Sequence, residues 1–154
     1  EAEWEKTARG GCDVNPGPSC KAAMRAFPWG NEKPTCAHAV VATVGTSERA
    51  DFGCGKGMSW PVGAKPTDVG PYGHRGLAGN VSEWIDSCYI EDFYEQFANK
   101  LAVNPKPKCI DDDGLGVRGG GFYDVGFDSR ASYRHAHPPN SADYYVGIRC
   151  ARDK

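Results

Sequence analysis

The stretch Gly76-Leu77-Ala78-Gly79-Asn80-Val81-Ser82-Glu83-Trp84 decides how the rest of the chain is read. Gly76 and Gly79 suit a tight turn, where the absence of a Cβ frees the backbone, and Asn80 suits the exit from it. Glu83 and Trp84 open a short segment, residues 83–89, of helical or extended character. Asn80 and Glu83 carry side-chain oxygens three residues apart, with the Val81 carbonyl between them, a nucleus suited to a hard cation such as Ca²⁺. The same residues also work without an ion, Asn80 closing the turn and Glu83 capping the segment after it.

Upstream of this stretch the sequence is mostly turns and short extended pieces. Residues 65–73 are a Pro/Gly loop, and Trp60-Pro61-Val62-Gly63 is a short extended run. Residues 39–44, Ala-Val-Val-Ala-Thr-Val, are the best strand candidate, because β-branched residues fit a pleated surface. Phe27-Pro28-Trp29-Gly30-Asn31 sets two aromatics beside a turn and reads as a loop anchored in the core. At the start, residues 1–8 read as an amphipathic helix with Ala2, Trp4 and Ala8 on its buried side, closed by Gly10-Gly11.

Downstream, residues 89–101 are rich in aromatics and acids and read as a short helix or surface excursion ended by Asn104-Pro105-Lys106-Pro107. Val117-Arg118-Gly119-Gly120-Gly121-Phe122 reads as a strand whose glycines mark a bulge or a close backbone approach. A phosphate cradle is disfavoured there, since no Lys-Ser/Thr comes after it. Residues 130–134 and 144–151 are the last strand candidates, with Val146, Ile148 and Cys150 alternating toward one face. Between them, His135 and His137 offer either a transition-metal pair or, more simply, a loop with one imidazole bonded to backbone. Tyr123, Tyr133, Tyr144 and Tyr145 read either as core or as a binding surface, with core the simpler expectation.

Composition limits the function classes. With 154 residues the chain fits one domain, and 20 glycines and 11 prolines predict a loop-rich fold with sparse regular structure. Net charge is −2 with both signs interspersed, so nothing points to nucleic acid, and no apolar run is long enough for a membrane span. Seven cysteines without a Cys-x-x-Cys pair point to disulfides and an oxidising compartment: extracellular, periplasmic or cell envelope. Neighbour pairing gives Cys12 with Cys20, Cys36 with Cys54 and Cys88 with Cys109, and leaves Cys150 over. Sequence alone does not fix that connectivity.

Taken together, Glu1-Ala2-Glu3-Trp4-Glu5, Ala8-Arg9-Gly10-Gly11, Phe27-Pro28-Trp29-Gly30-Asn31-Glu32, Pro61-Val62-Gly63, residues 76–84, Arg118-Gly119-Gly120-Gly121 and Gly147-Ile148-Arg149-Cys150-Ala151-Arg152 form an ordered set across the whole chain. In this order they resemble the formylglycine-generating enzyme, or sulfatase-modifying factor, family. The resemblance implies an α+β, C-type-lectin-like fold with low secondary-structure content, many loops and disulfide staples. It implies structural Ca²⁺ at Asn80, Val81 and Glu83, while a second family site needs an asparagine near Val40 that is absent here. It also implies that residues 1–154 are a single, N-terminally incomplete domain. A chain or segment supplying the missing N-terminal half is then a partner, bridged through Cys150, which is free and buried if that partner is lost.

The resemblance breaks at the expected catalytic centre. Formylglycine-generating members hold copper with two cysteines, five apart, after the Arg-Gly-Gly strand, because soft thiolates suit Cu(I). Those positions fall at Asp124 and Ser129 in one register, and at Val125 and Arg130 in the other. No cysteine occurs between Cys109 and Cys150, so no shift of alignment restores the pair, and no copper is expected. A further structural cysteine of the family falls at His135 and its partner at Ala8. The preferred expectation is a non-catalytic secreted or envelope domain acting as a binding or structural subunit of a larger assembly. The alternative is an enzyme of altered chemistry, a metal-dependent oxidase or related, using Asp124, Asp128, Arg130, His135 and His137.

Overall fold

The computed structural model describes residues 1–14, 17, 24–43, 51–98, 100–110 and 114–152. Its organising element is β1, Ser82–Cys88, which continues directly from the Gly79-Asn80 turn. Strand β2, Leu115–Arg118, runs antiparallel to β1, pairing Glu83 with Arg118 and Trp84 with Val117, with a register irregularity before Cys88 pairs with Leu115. Strand β3, His135–His137, pairs antiparallel with β2, and the two-residue β4, Val146–Gly147, pairs parallel with β1. The order across the mixed sheet is β3-β2-β1-β4. Short 3-10 turns at Glu95–Phe97 and Gly126–Ser129 and one helix complete the regular structure among the described residues. This is a small α+β fold made mostly of loops.

Helix α1, Ala2–Arg9, forms where the sequence predicts it. Trp4 and Ala8, one turn apart, are buried with Leu77, Ile85 and Ala131, so one helix face closes the core over β1. Gly10, at φ 85°, ends the helix in backbone geometry that a side chain would strain. Arg118 at the end of β2 is almost fully buried, and its guanidinium donates to Glu5 at 2.5 Å and to the carbonyls of Ala131 and Tyr133 at 2.8 and 2.7 Å. A charge this deep is tolerable only because it is paired and hydrogen-bonded. The core is thus anchored by a helix-to-strand ion pair.

A second apolar cluster joins Ala39, Val41 and Ala78, with Trp29 packed against it. Residues 39–43 are not a strand, contrary to the expectation from their β-branched run. Val40, Ala42 and Thr43 each make a single bridge to a different partner, Gly79, Val125 and Asp51, so no ladder develops, and Val44 lies outside the described residues. Cys36 is bonded to Cys54 and Cys88 to Cys109, with Cα atoms 5.7 and 5.3 Å apart. Each closure of a loop of this length contributes about 3 kcal/mol. The expected Cys12–Cys20 bond involves Cys20, which lies outside the described residues. Two disulfides fit an oxidising compartment.

Three further expectations are corrected. Residues 130–134 are turn rather than strand, while His135 and His137 sit on β3 instead of a loop, because pairing with β2 overrides their weak strand propensity. Val146, Ile148 and Cys150 do not alternate into the core. Ile148 is 78% exposed, since β4 lasts only two residues and the inward position after it belongs to Arg149. Cys150 is the free cysteine among the described residues, and it is exposed rather than buried. No described helix is long and apolar enough to cross a membrane.

Candidate functional site

Among the described residues, two cavities gather most of the polar residues singled out from sequence. The first, of about 380 Å³, lies over the Gly76–Glu83 stretch and is lined among others by Asp68, Glu83, Ile148, Arg149 and Cys150. At its base Asn80 holds φ 67°, a left-handed geometry that asparagine tolerates better than most residues. Its side-chain amide clasps the backbone of Trp60. Oδ1 accepts from the Trp60 N–H at 2.7 Å, and Nδ2 donates to the Trp60 carbonyl at 3.1 Å. Its own backbone N–H donates to the Val40 carbonyl at 2.7 Å, and its carbonyl accepts from the Phe122 N–H at 2.9 Å. Gly79 has to be glycine, because a Cβ there would lie 2.5 Å from the Val40 oxygen.

Glu83 is buried, and its carboxylate is fully engaged. Oε2 accepts from the Trp4 indole at 2.7 Å, and both oxygens accept from Arg149 Nε at 2.9 Å. Arg149 Nη2 lies 2.6 Å from Oε1 and donates to the carbonyls of Arg75 and Gly76, each at 2.8 Å. A guanidinium fork suits this bidentate grip. Asn80, Val81 and Glu83 therefore do not fit a Ca²⁺ ion as arranged. The amide of Asn80 and both oxygens of Glu83 already have protein partners, whereas Ca²⁺ needs about six to eight oxygen ligands. Among the described residues no group of three His, Cys, Asp or Glu is placed to hold a metal.

Asp68 is the unsettled member of this region. It is 2% exposed, accepts from the Ala78 N–H at 3.3 Å through Oδ2, and its Oδ1 has no partner among the described residues. Burial pushes its carboxyl up to about 7; the Glu83 charge adds to this, while the Ala78 N–H and Arg149 oppose it.

The second cavity, of about 340 Å³, opens beyond Gly120 and is lined by Ser82, Val117, Gly120, Tyr123, Asp124, Tyr133, His135, His137 and Tyr145. The turn that shapes it begins at Gly119 and Gly120, both at positive φ, and is fixed by Asp124 Oδ2 accepting from the Gly121 N–H at 2.7 Å. Its wall is a run of rings. Tyr123 stacks on Tyr145 at 6.3 Å, Tyr145 meets His137 at 5.6 Å, His137 meets His135 edge-on at 5.2 Å, and His135 stacks on Tyr133 at 6.5 Å. The two imidazoles meet at a near-right angle, 82°. His137 Nδ1 lies 3.1 Å from Asp143 Oδ2. Burial first, then the carboxylates Asp128 and Asp124, push the Tyr133 hydroxyl up; burial, Asp143 and Asp124 do the same for Tyr145.

Of the five polar residues proposed from sequence, this cavity gathers Asp124, His135 and His137. Asp128 stands behind them, its carboxyl raised by burial and by Asp124. Arg130 folds away, its guanidinium 3.5 Å from the centre of the Phe127 ring and its Nε donating to the Phe127 carbonyl. The expectation of a tyrosine core is corrected for Tyr123 and Tyr144, which are 45% and 71% exposed. Sequence reasoning missed Asp68, Asp143 and Arg149. Only Arg149 left a signal, its place inside Gly147-Ile148-Arg149-Cys150.

A model of the sulfatase-modifying factor enzyme 1-like domain matches residues 1–154. The chain belongs to this family. Among sulfatase-modifying factor-like proteins, the formylglycine-generating enzyme of Thermomonospora curvata is 30% identical over 99% of this chain and 48% of its own length. A protein named serine/threonine-protein kinase pkn1, from Chlamydia pneumoniae, is 32% identical over 99% of this chain but 20% of its own length. The chain thus spans about half or less of these relatives. The solved structure of PvdO from Pseudomonas aeruginosa shares the fold with a TM-score of 0.61 at 24% identity, covering 96% of this chain and 48% of that one.

Proposed function

We propose that this sulfatase-modifying factor-like domain is a non-catalytic binding module of the extracellular space, periplasm or cell envelope, working within a larger assembly. Its binding site is the cavity beyond Gly120. One observation carries the reading: where formylglycine-generating members place two cysteines, this chain has Asp124 and Ser129, or Val125 and Arg130, and no cysteine lies between Cys109 and Cys150. Asp124 lines the cavity, Ser129 is buried, and the free thiol of Cys150 lines the other cavity. A lectin-like scaffold suits the role, since loops held by disulfides and buried ion pairs vary without disturbing the core. Incubation with Cu(I), oxygen and a Cys-x-Pro-x-Arg peptide, read by mass spectrometry, should leave the peptide thiol unchanged. Conversion of that cysteine to an aldehyde would overturn the reading.

The His137–Asp143 contact favours one rival, an enzyme of altered chemistry in the same cavity, because a carboxylate on one ring nitrogen orients the other as base or ligand. Copper or iron co-purifying in one-to-one amount, and lost in His137→Ala, would support that rival.

A further inference from the structure

The cavity beyond Gly120 combines a ring wall with a negative field, and that combination sets the ligand class. Five rings, Tyr123, Tyr133, His135, His137 and Tyr145, line a concave surface, and none of the nine lining residues is Lys or Arg. One carboxylate lines the cavity and two stand next to it. Asp124 sits on the 120–124 turn, Asp143 reaches in beside His137, and Asp128 stands behind on the Gly126–Ser129 turn. Of the guanidiniums close in sequence, Arg118 pairs with Glu5, Arg134 with Glu1 and Arg149 with Glu83, while Arg130 lies on Phe127 and its charge partly offsets the carboxylates at Asp128 and Tyr133. Tyr123, which lines the cavity, is 45% exposed, so its ring is open to solvent.

Ring faces carry negative charge density, so a tyrosine wall attracts cations, and most strongly those that shed their water easily. A methylated ammonium spreads its charge over apolar methyl groups, which gain from ring contact, while a small inorganic ion holds its hydration shell. The geometry points to an organic ammonium group, quaternary or methylated, as the ligand of this cavity, seated on Tyr123, Tyr133 and Tyr145 with Asp124 and Asp143 as counter-charges. The assignment rests on the binding-module reading and names the chemistry that the module recognises. The hydroxyls of both tyrosines are raised first by burial and then by carboxylates, Asp128 and Asp124 at Tyr133, where Arg130 opposes them, and Asp143 and Asp124 at Tyr145.

The test is a titration of the ¹⁵N-labelled chain monitored by amide shifts, with choline as the cation and 3,3-dimethyl-1-butanol as its neutral isostere. Choline is expected to shift residues 120–124, 133–137 and 143–145 saturably, with the isostere at least about tenfold weaker. Tyr123→Ala, which also gives up the ring's stacking on Phe52 at 3.9 Å and so lowers the melting temperature somewhat, is expected to weaken choline by about fivefold to tenfold while the amide spectrum of residues 76–88 stays that of the folded chain. Asp124→Asn keeps an oxygen for the Gly121 N–H and should weaken choline but leave the isostere unaffected. Equal affinity for both probes, or no shifts in these residues with choline, overturns the ammonium assignment. Oxidation of the Cys-x-Pro-x-Arg peptide would instead overturn the binding-module reading, whatever choline does.

Discussion

The two cavities of this domain use polar residues in opposite ways. Around Glu83 nearly every polar atom has a protein partner, with Trp4 and Arg149 closing on one carboxylate and the carbonyls of Arg75 and Gly76 holding the guanidinium. Beyond Gly120 the polar and aromatic groups face an open space, and the Tyr123 ring is exposed there. The first region is a clasp that ties helix α1, β1 and the segment after β4 together. The second leaves its rings and Asp124 lining open space, and it is there that we place the proposed ligand. A motif that looks like a site can therefore be a strut, while the chemistry sits where the sequence looks irregular.

Breaking the clasp should have the largest effect. Glu83→Ala leaves the Arg149 guanidinium and the Trp4 indole without their acceptor, and is expected to cost about 3–5 kcal/mol in urea unfolding. A loss below about 1 kcal/mol would mean that Arg149 is held by its carbonyls alone.

The next largest effect is a dependence on pH. Asp68 has a folded-state value of about 7, well above its ordinary 3.8, so between these the folded state keeps a proton that the unfolded state has lost. Its contribution to stability is thus full below about pH 4, declines as pH rises, and levels off above about pH 7, a change of up to about 4 kcal/mol. Asp68→Asn should flatten that part of the profile. An unchanged slope would place Asp68 in contact with water or a cation that keeps it ionised.

A smaller loss is expected at the turn. Asn80→Ala removes both bonds to the Trp60 backbone and strains φ 67°, at about 2 kcal/mol, whereas Asn80→Asp, which loses only the donor, should cost less. The smallest stability effect belongs to the open cavity. His135→Ala, at the exposed end of β3, should change unfolding free energy by less than about 0.5 kcal/mol. If it destabilised the chain as much as Glu83→Ala, the contrast between strut and site would fail.

How much of the molecule is legible in the sequence depends on the range of each interaction. Helix α1 is readable because Trp4 and Ala8 share a face and Gly10 stops it, all within ten residues. The local pattern of residues 83–89 suits helix or extended backbone equally, and pairing with the distant β2 settles them as β1. The run 39–44 misleads, since β-branched residues favour extended backbone without guaranteeing a continuous partner strand. His135 and His137 mislead in the opposite direction, because their strand exists only through its neighbour. The Glu83–Arg149 pair spans 66 positions, and long-range charge pairing has no local period to read. The missing cysteine pair after Gly121, in contrast, is legible outright, because an absent residue type needs no geometry.

The central claim is that Glu83 holds the fold while ligand chemistry sits beyond Gly120. Mapping choline-induced amide shifts onto the chain tests it most directly. Saturable shifts at Tyr123, Asp124, Tyr133, His135 and Tyr145, with Gly76, Asn80 and Glu83 silent, are the predicted result. Shifts centred on Glu83 and Arg149, with the second cavity silent, would contradict it.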